Sequence, residues 1–137
     1  MEYVNPIKDI DSINKIKDIL KQKSQRDYLL FVFGINTGIR ICDLLNLKVN
    51  DVWDGQKVKE FLFIAEKGHH KEQTIYLNKN VRDALISYLS ASKLNNNDFL
   101  FKSKNCDQPI TRQQAYRIIN KAARDAGIRD KIGTHTI

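Results

Sequence analysis

Three short segments of the sequence set a cation or an imidazole beside a tight turn, and each could engage a phosphate. In "TGIRICDLLNL" Gly38 provides a sharp turn, so that Arg40 starts a helix among backbone N–H groups without intrahelical partners, a good place to hold an anion. Asp43 lies three residues on, on the same helical face, and could clamp the guanidinium. In isolation such a pair is an ordinary surface contact worth little. In "EKGHHKE" Lys67 precedes Gly68, and Lys71 follows three residues beyond. A lysine fixed at the end of a stiff ribbon can protonate a leaving oxygen, although solvated turn lysines are far commoner. In the final "GTHTI" Thr134 precedes His135 at what reads as a helix start, where an imidazole could stabilise a phosphorane-like transition state. Alone it would be an exposed histidine. The adjacent His69 and His70 have no cysteine or acid pair at metal-binding spacing, so they read as loop surface, and no metal or other cofactor is expected.

These side chains need a scaffold, and the apolar pattern supplies one. Over 11–21, Ile13, Ile16, Ile19 and Leu20 fall on one face, which predicts an amphipathic helix with Asp11 or Ser12 as its N-cap. "RDYLLFVFGIN", residues 26–36, is apolar nearly all round, as a helix buried in a core must be, and Thr37-Gly38 ends it with a residue that tolerates the left-handed conformation. A further helix, "RICDLLNLKV", should follow almost at once. After Trp53 the pattern changes to a "DG" turn and two β-rich runs, "KVKEFLFIAEK" and "QTIYLN", joined through "GHHKE" as an antiparallel hairpin. The helical period returns in "NVRDALISYLSAS", where Val81, Ala84, Leu85, Tyr88 and Leu89 share a face. Thr111 and Gln114 form a capping-box pair at the head of "TRQQAYRIINKAARDAG", whose stripe is Ala115, Ile118, Ile119, Ala122, Ala123 and Ala126, and Gly127 is its natural stop. The fold class is α+β, mainly helical, with one small antiparallel hairpin.

A chain of 137 residues, 42% hydrophobic and 28% charged, fits one domain with a real core. It shows no internal repeat and no Pro/Gly/Ser linker. No apolar run is long enough to cross a bilayer and the N-terminus lacks a signal-peptide stretch, which predicts a cytoplasmic location without a membrane partner. Cys42 and Cys106 are far apart, one in an expected helix and one in a polar loop, and should both be free thiols. The formal charge of +7 favours a polyanion, with nucleic acid the first candidate.

In this order the three segments resemble the catalytic domain of the tyrosine recombinases, the phage-integrase family of DNA strand-exchange enzymes. "NTGIRICDLLNLKVNDV" is similar to the first catalytic-arginine box, "IAEKGHHKEQTIYL" to the hairpin with the catalytic lysine, and "GTHTI" to the start of the His-x-x-Arg box. "ITRQQAYRIINKAARDAGI" resembles the segment preceding that last box. The resemblance covers nearly the whole chain and implies metal-free transesterification of double-stranded DNA. A tyrosine attacks a phosphate, forms a phosphotyrosyl link and later yields it to a 5′-hydroxyl of another duplex. It implies Arg40 as the first arginine, Asp43 as its acidic support, Lys67 as general acid with Lys71 as the fallback or a DNA contact, and His135 as the box histidine. Arg112, Gln113 and Arg117 are implied DNA contacts, though they could equally solubilise an exposed face.

The second arginine of that pattern would stand three positions after His135, one beyond Ile137, and all five tyrosines, Tyr3, Tyr28, Tyr76, Tyr88 and Tyr116, precede His135. The expectation is therefore a single partial integrase catalytic domain over 1–137, without the segment carrying the second arginine and the nucleophile, and without the N-terminal helical domain common in the family. Such a chain would bind DNA at most, its parent acting as a homo-oligomer on DNA. A non-catalytic DNA-binding remnant or regulator on the same fold is the alternative, and a helical interaction domain that never touches DNA is the third reading.

Overall fold

The computed structural model describes residues 10–65 and 72–128. α1 (Ile10–Lys23) presents Ile16 and Leu20 to the interior, with Ile13 and Ile19 partly covered beside them. Asp11 and Ser12 lie within α1, whose described part begins at Ile10, so neither is its N-cap. α2 (Gln25–Thr37) is the central helix, with Leu29, Leu30, Phe31, Val32, Phe33 and Gly34 all buried. A helix apolar on every side must be surrounded, and α1 on one flank and the later helix α5 (Lys79–Ala91) on another pack against it. The Ser24 hydroxyl caps its start by accepting from the Asp27 N–H at 3.3 Å.

The single helix expected over residues 40–49 is two short ones, α3 (Ile41–Leu45) and α4 (Val49–Val52). Lys48 leaves the helical backbone at φ −107° and ψ 162° and pairs with Phe99 in an isolated antiparallel bridge. The Leu100 N–H donates to the Leu47 carbonyl at 2.8 Å, and the Val49 N–H to Asp98 at 3.0 Å. The apolar segment at Phe99 to Phe101 is drawn into the core and needs backbone partners there, which the broken helix supplies. Phe101 meets Phe33 edge to face at 6.4 Å, fixing this segment to the central helix.

β1 (Phe61–Ala65) and β2 (Glu72–Tyr76) form the expected antiparallel pair, in the register Phe61↔Tyr76, Leu62↔Ile75 and Phe63↔Thr74. Leu62 and Ile75 are buried on the inner face, which pins the register, because a slip of one residue would turn them outward. α5 (Lys79–Ala91) packs Val81, Leu85 and Tyr88 on α2, and the buried Tyr88 hydroxyl donates to the Leu100 carbonyl at 2.8 Å. α6 (Arg112–Asp125) buries Ala115, Ile119, Ala122 and Ala123. Thr111 Oγ1 accepts from the Gln114 N–H at 3.1 Å, half of the expected capping box; the described hydrogen bonds include no return bond from the Gln114 side chain. Gly127, at φ 84°, stops the helix in a Schellman arrangement, with Ile128 N–H on the Ala123 carbonyl and Gly127 N–H on that of Arg124. Cys42 and Cys106 are free and exposed, as the sequence suggested.

Candidate nucleic-acid interface

The turn that presents Arg40 is locked from both sides. Gly38 adopts φ 70°, and its N–H closes the last turn of α2 on the Gly34 carbonyl at 2.9 Å. Thr37 Oγ1 donates to the Phe33 carbonyl at 2.6 Å. Asn36 Nδ2 donates to the Val32 carbonyl at 2.8 Å, and Asn36 Oδ1 accepts from Asn78 Nδ2 at the same distance. Asn78 Oδ1 in turn accepts from the Val81 N–H at 3.0 Å and caps α5. This relay of two asparagines ties the end of α2 to the start of α5. Sequence reasoning missed it, because Asn36 read as the last residue of a helix and Asn78 as the end of a strand, with no local signal that the two pair.

Arg40 is exposed and serves as the N-cap residue of α3, with extended backbone at φ −60° and ψ 141°. Asp43 sits half-buried in the first turn, yet among the described residues the two form no ion pair. An i,i+3 pair meets when both residues have helical backbone, and Arg40 stands one residue outside it.

The start of α6 is brought to this turn across the fold. Arg112 Nη1 donates to the Cys42 sulfur at 4.0 Å, joining residues 70 positions apart. Gln113 and Arg117, four apart and both exposed, share the outer face of α6. One turn beyond Arg112, the Tyr116 hydroxyl is buried without a hydrogen-bond partner among the described residues. Burial pushes its pKa up, Arg112 opposes that shift, and Cys42 adds to it. Neither Cys42 nor Tyr116 stood out in the sequence, since their significance lies in the contact between α3 and α6.

Among the described residues Arg40, Arg112 and Arg117 stand outside every ion pair, the pairs being Lys23–Asp125, Arg26–Asp27, Arg82–Glu60 and Lys102–Asp107. Guanidinium groups outside any ion pair are available to a polyanion. The structure thus brings Arg112, at the start of α6, to the helix that follows the Arg40 turn. Lys67, Lys71 and His135 lie outside the described residues. Among the described residues no cluster of three or more His, Cys, Asp or Glu could hold a metal, and no helix is long and apolar enough to cross a membrane.

A helical core with one small antiparallel hairpin is also the architecture found by comparison with known proteins. The chain belongs to the phage integrase family, whose sequence model matches residues 7–137. It is 39% identical, over its full length, to the probable integrase/recombinase YoeC of Bacillus subtilis, covering 72% of that protein. It is 27% identical over 135 residues to the tyrosine recombinase XerD of Listeria monocytogenes, covering 44% of it. Its fold matches the crystal structure of XerA recombinase with a TM-score of 0.77 at 24% identity, over 97% of this chain and 47% of that one. It also matches the site-specific recombinase XerH in a post-cleavage complex with a palindromic difH substrate, with a TM-score of 0.71 at 19% identity, over 98% of this chain and 40% of that one. Members of this family cleave and rejoin DNA strands.

Proposed function

We propose that these 137 residues form the phosphate-gripping part of a site-specific DNA recombinase. Arg40 and Arg112, outside every ion pair among the described residues and joined through the Arg112–Cys42 contact, carry this reading. In it Arg40 holds the phosphate that is attacked and neutralises the charge that builds on its oxygens. Asp43 restrains the Arg40 guanidinium once DNA is engaged. Lys67, at the connection of the hairpin, protonates the departing 5′-oxygen, with Lys71 on a neighbouring phosphate, and His135 stabilises the pentacovalent transition state. Arg112, Gln113 and Arg117 fix the duplex in register from α6. No metal enters this chemistry, and the protein acts in the cytoplasm as a homo-oligomer assembled on DNA.

None of the five tyrosines follows His135, so this chain by itself binds duplex DNA without forming a covalent link. The same exposed arginines would serve a second reading, a DNA-occupying regulator on the recombinase fold. The experiment is to mix the chain with a labelled duplex and resolve complexes under native and denaturing conditions. A band shift that vanishes under denaturation is expected. A denaturation-resistant adduct would show that a tyrosine among those present acts as nucleophile, and absence of any shift at low salt would remove both DNA readings.

A further inference from the structure

The Asn36–Asn78 bridge lies where α2, the hairpin and α5 meet. Asn36 is in the last turn of α2, four residues before Arg40. Asn78 follows Tyr76, the end of β2, by two positions and is the N-cap of α5. Leu77 between them is fully buried, and its N–H donates to the Glu60 carbonyl at 2.8 Å, which closes the base of the hairpin. Among the described residues, no other side-chain hydrogen bond joins residues 36–40 to an element other than α2. The bridge also has a fixed polarity. Asn36 Nδ2 is committed to the Val32 carbonyl and Asn78 Oδ1 to the Val81 N–H, so turning either amide over would set donors against donors and acceptors against acceptors.

Between Asn36 and Arg40 the chain has little freedom of its own. Thr37 Oγ1 donates to the Phe33 carbonyl and accepts from the Ile39 N–H at 3.4 Å, the Gly38 N–H is bound to Gly34, and Ile39 and Ile41 are buried on either side of the exposed Arg40. Apolar burial is non-directional and sets no angle, whereas a hydrogen bond does. A shift of the end of α2 against α5 would therefore carry over to Arg40. A guanidinium that grips a phosphate through two parallel N–H···O bonds tolerates little misplacement.

We propose that Asn36 and Asn78 are positioning residues for Arg40, their bridge aiming its guanidinium at a DNA phosphate by holding the end of α2 against the start of α5. The proposal rests on the reading of Arg40 as a phosphate-gripping residue and adds what keeps it in place.

The test uses the 137-residue chain, a labelled duplex and fluorescence anisotropy across a salt series. Asn36→Ala breaks the bridge from one side and leaves the α5 cap in place. Asn78→Ser breaks it from the other, since a serine hydroxyl can still cap α5 but is too short to reach Asn36. Each should lower the slope of log affinity against log salt by about one, the change expected when a single phosphate contact is lost, as Arg40→Ala should. Adding either to Arg40→Ala should lower the slope no further, because the residues act on one contact. A merely structural pair would lower the melting midpoint alone. Wild-type slopes in both bridge variants, or a further fall in the double variants, would overturn the positioning role and leave Arg40 on its phosphate. A wild-type slope in Arg40→Ala would instead remove the phosphate-gripping reading, and the positioning role with it.

Discussion

The Arg112 guanidinium lies 4.0 Å from the sulfur of Cys42, two residues past Arg40. Through this contact the first turn of α6 and the turn between α2 and α3 become one surface, although 70 residues separate the partners. α6 buries its alanine-rich stripe and leaves Gln113 and Arg117 exposed beside that junction. Arg112 reaches α3 because a helix with a small-residue face can lie close against the core, and a bulkier stripe would hold it off.

Gly38 sets the direction in which the chain enters the Arg40 turn. A Cβ there would meet nothing within 4 Å, so substitution acts through its φ of 70° alone. Gly38→Ala should cost about 1–2 kcal/mol in urea denaturation, and Gly38→Asn should cost less, because asparagine tolerates the left-handed region. Equal losses for the two variants would argue that space, not backbone conformation, restricts this position.

Asn78 serves two structures at once, the α5 cap and the bridge to Asn36. Asn78→Ala should destabilise by about 1–2 kcal/mol for the cap and further for the Asn36 amide left without its partner. Asn78→Asp keeps the cap acceptor and loses the donor to Asn36, so it should fall between wild type and alanine. Chemical denaturation of the three proteins measures the order, and a wild-type midpoint for Asn78→Ala would rule the relay out.

Tyr88 imposes an alkaline limit on stability. Burial raises its hydroxyl from 10.0 to about 12, outweighing the lowering by Arg26. The folded protein holds the proton more tightly than the unfolded chain, so this stabilisation is complete below pH 10 and is lost as pH climbs from there through about 12. Melting midpoints should fall in that window for wild type. Tyr88→Phe should start lower, lacking the 2.8 Å bond to Leu100, and show a shallower decline. Parallel curves for the two proteins would mean that another group sets the limit.

Periodicity made the long elements legible. The all-apolar run of α2 and the stripes of α5 and α6 could be read residue by residue, because burial on one face writes itself into a 3.6-residue repeat. The break between α3 and α4 could not, since it depends on Leu47 and Lys48 pairing with Leu100 and Phe99, partners some fifty positions away whose pull carries no local signal. The site divides in the same way. Arg40 could be singled out from turn chemistry and Arg112 from the family resemblance, but their junction through Cys42, the Asn36–Asn78 bridge and the Tyr116 hydroxyl, without a partner among the described residues, arise from tertiary packing alone.

Duplex binding across a salt series, for wild type and for Arg40→Ala, Arg112→Ala and the double variant, tests the phosphate-gripping surface most directly. Each arginine that contacts a phosphate should reduce the slope of log affinity against log salt by about one. Wild type should lose affinity steeply with salt, each single variant should bind more weakly with a smaller slope, and all should melt together because both side chains are exposed. Binding indifferent to salt, or slopes that the arginine variants leave untouched, would contradict the assignment of this surface to DNA.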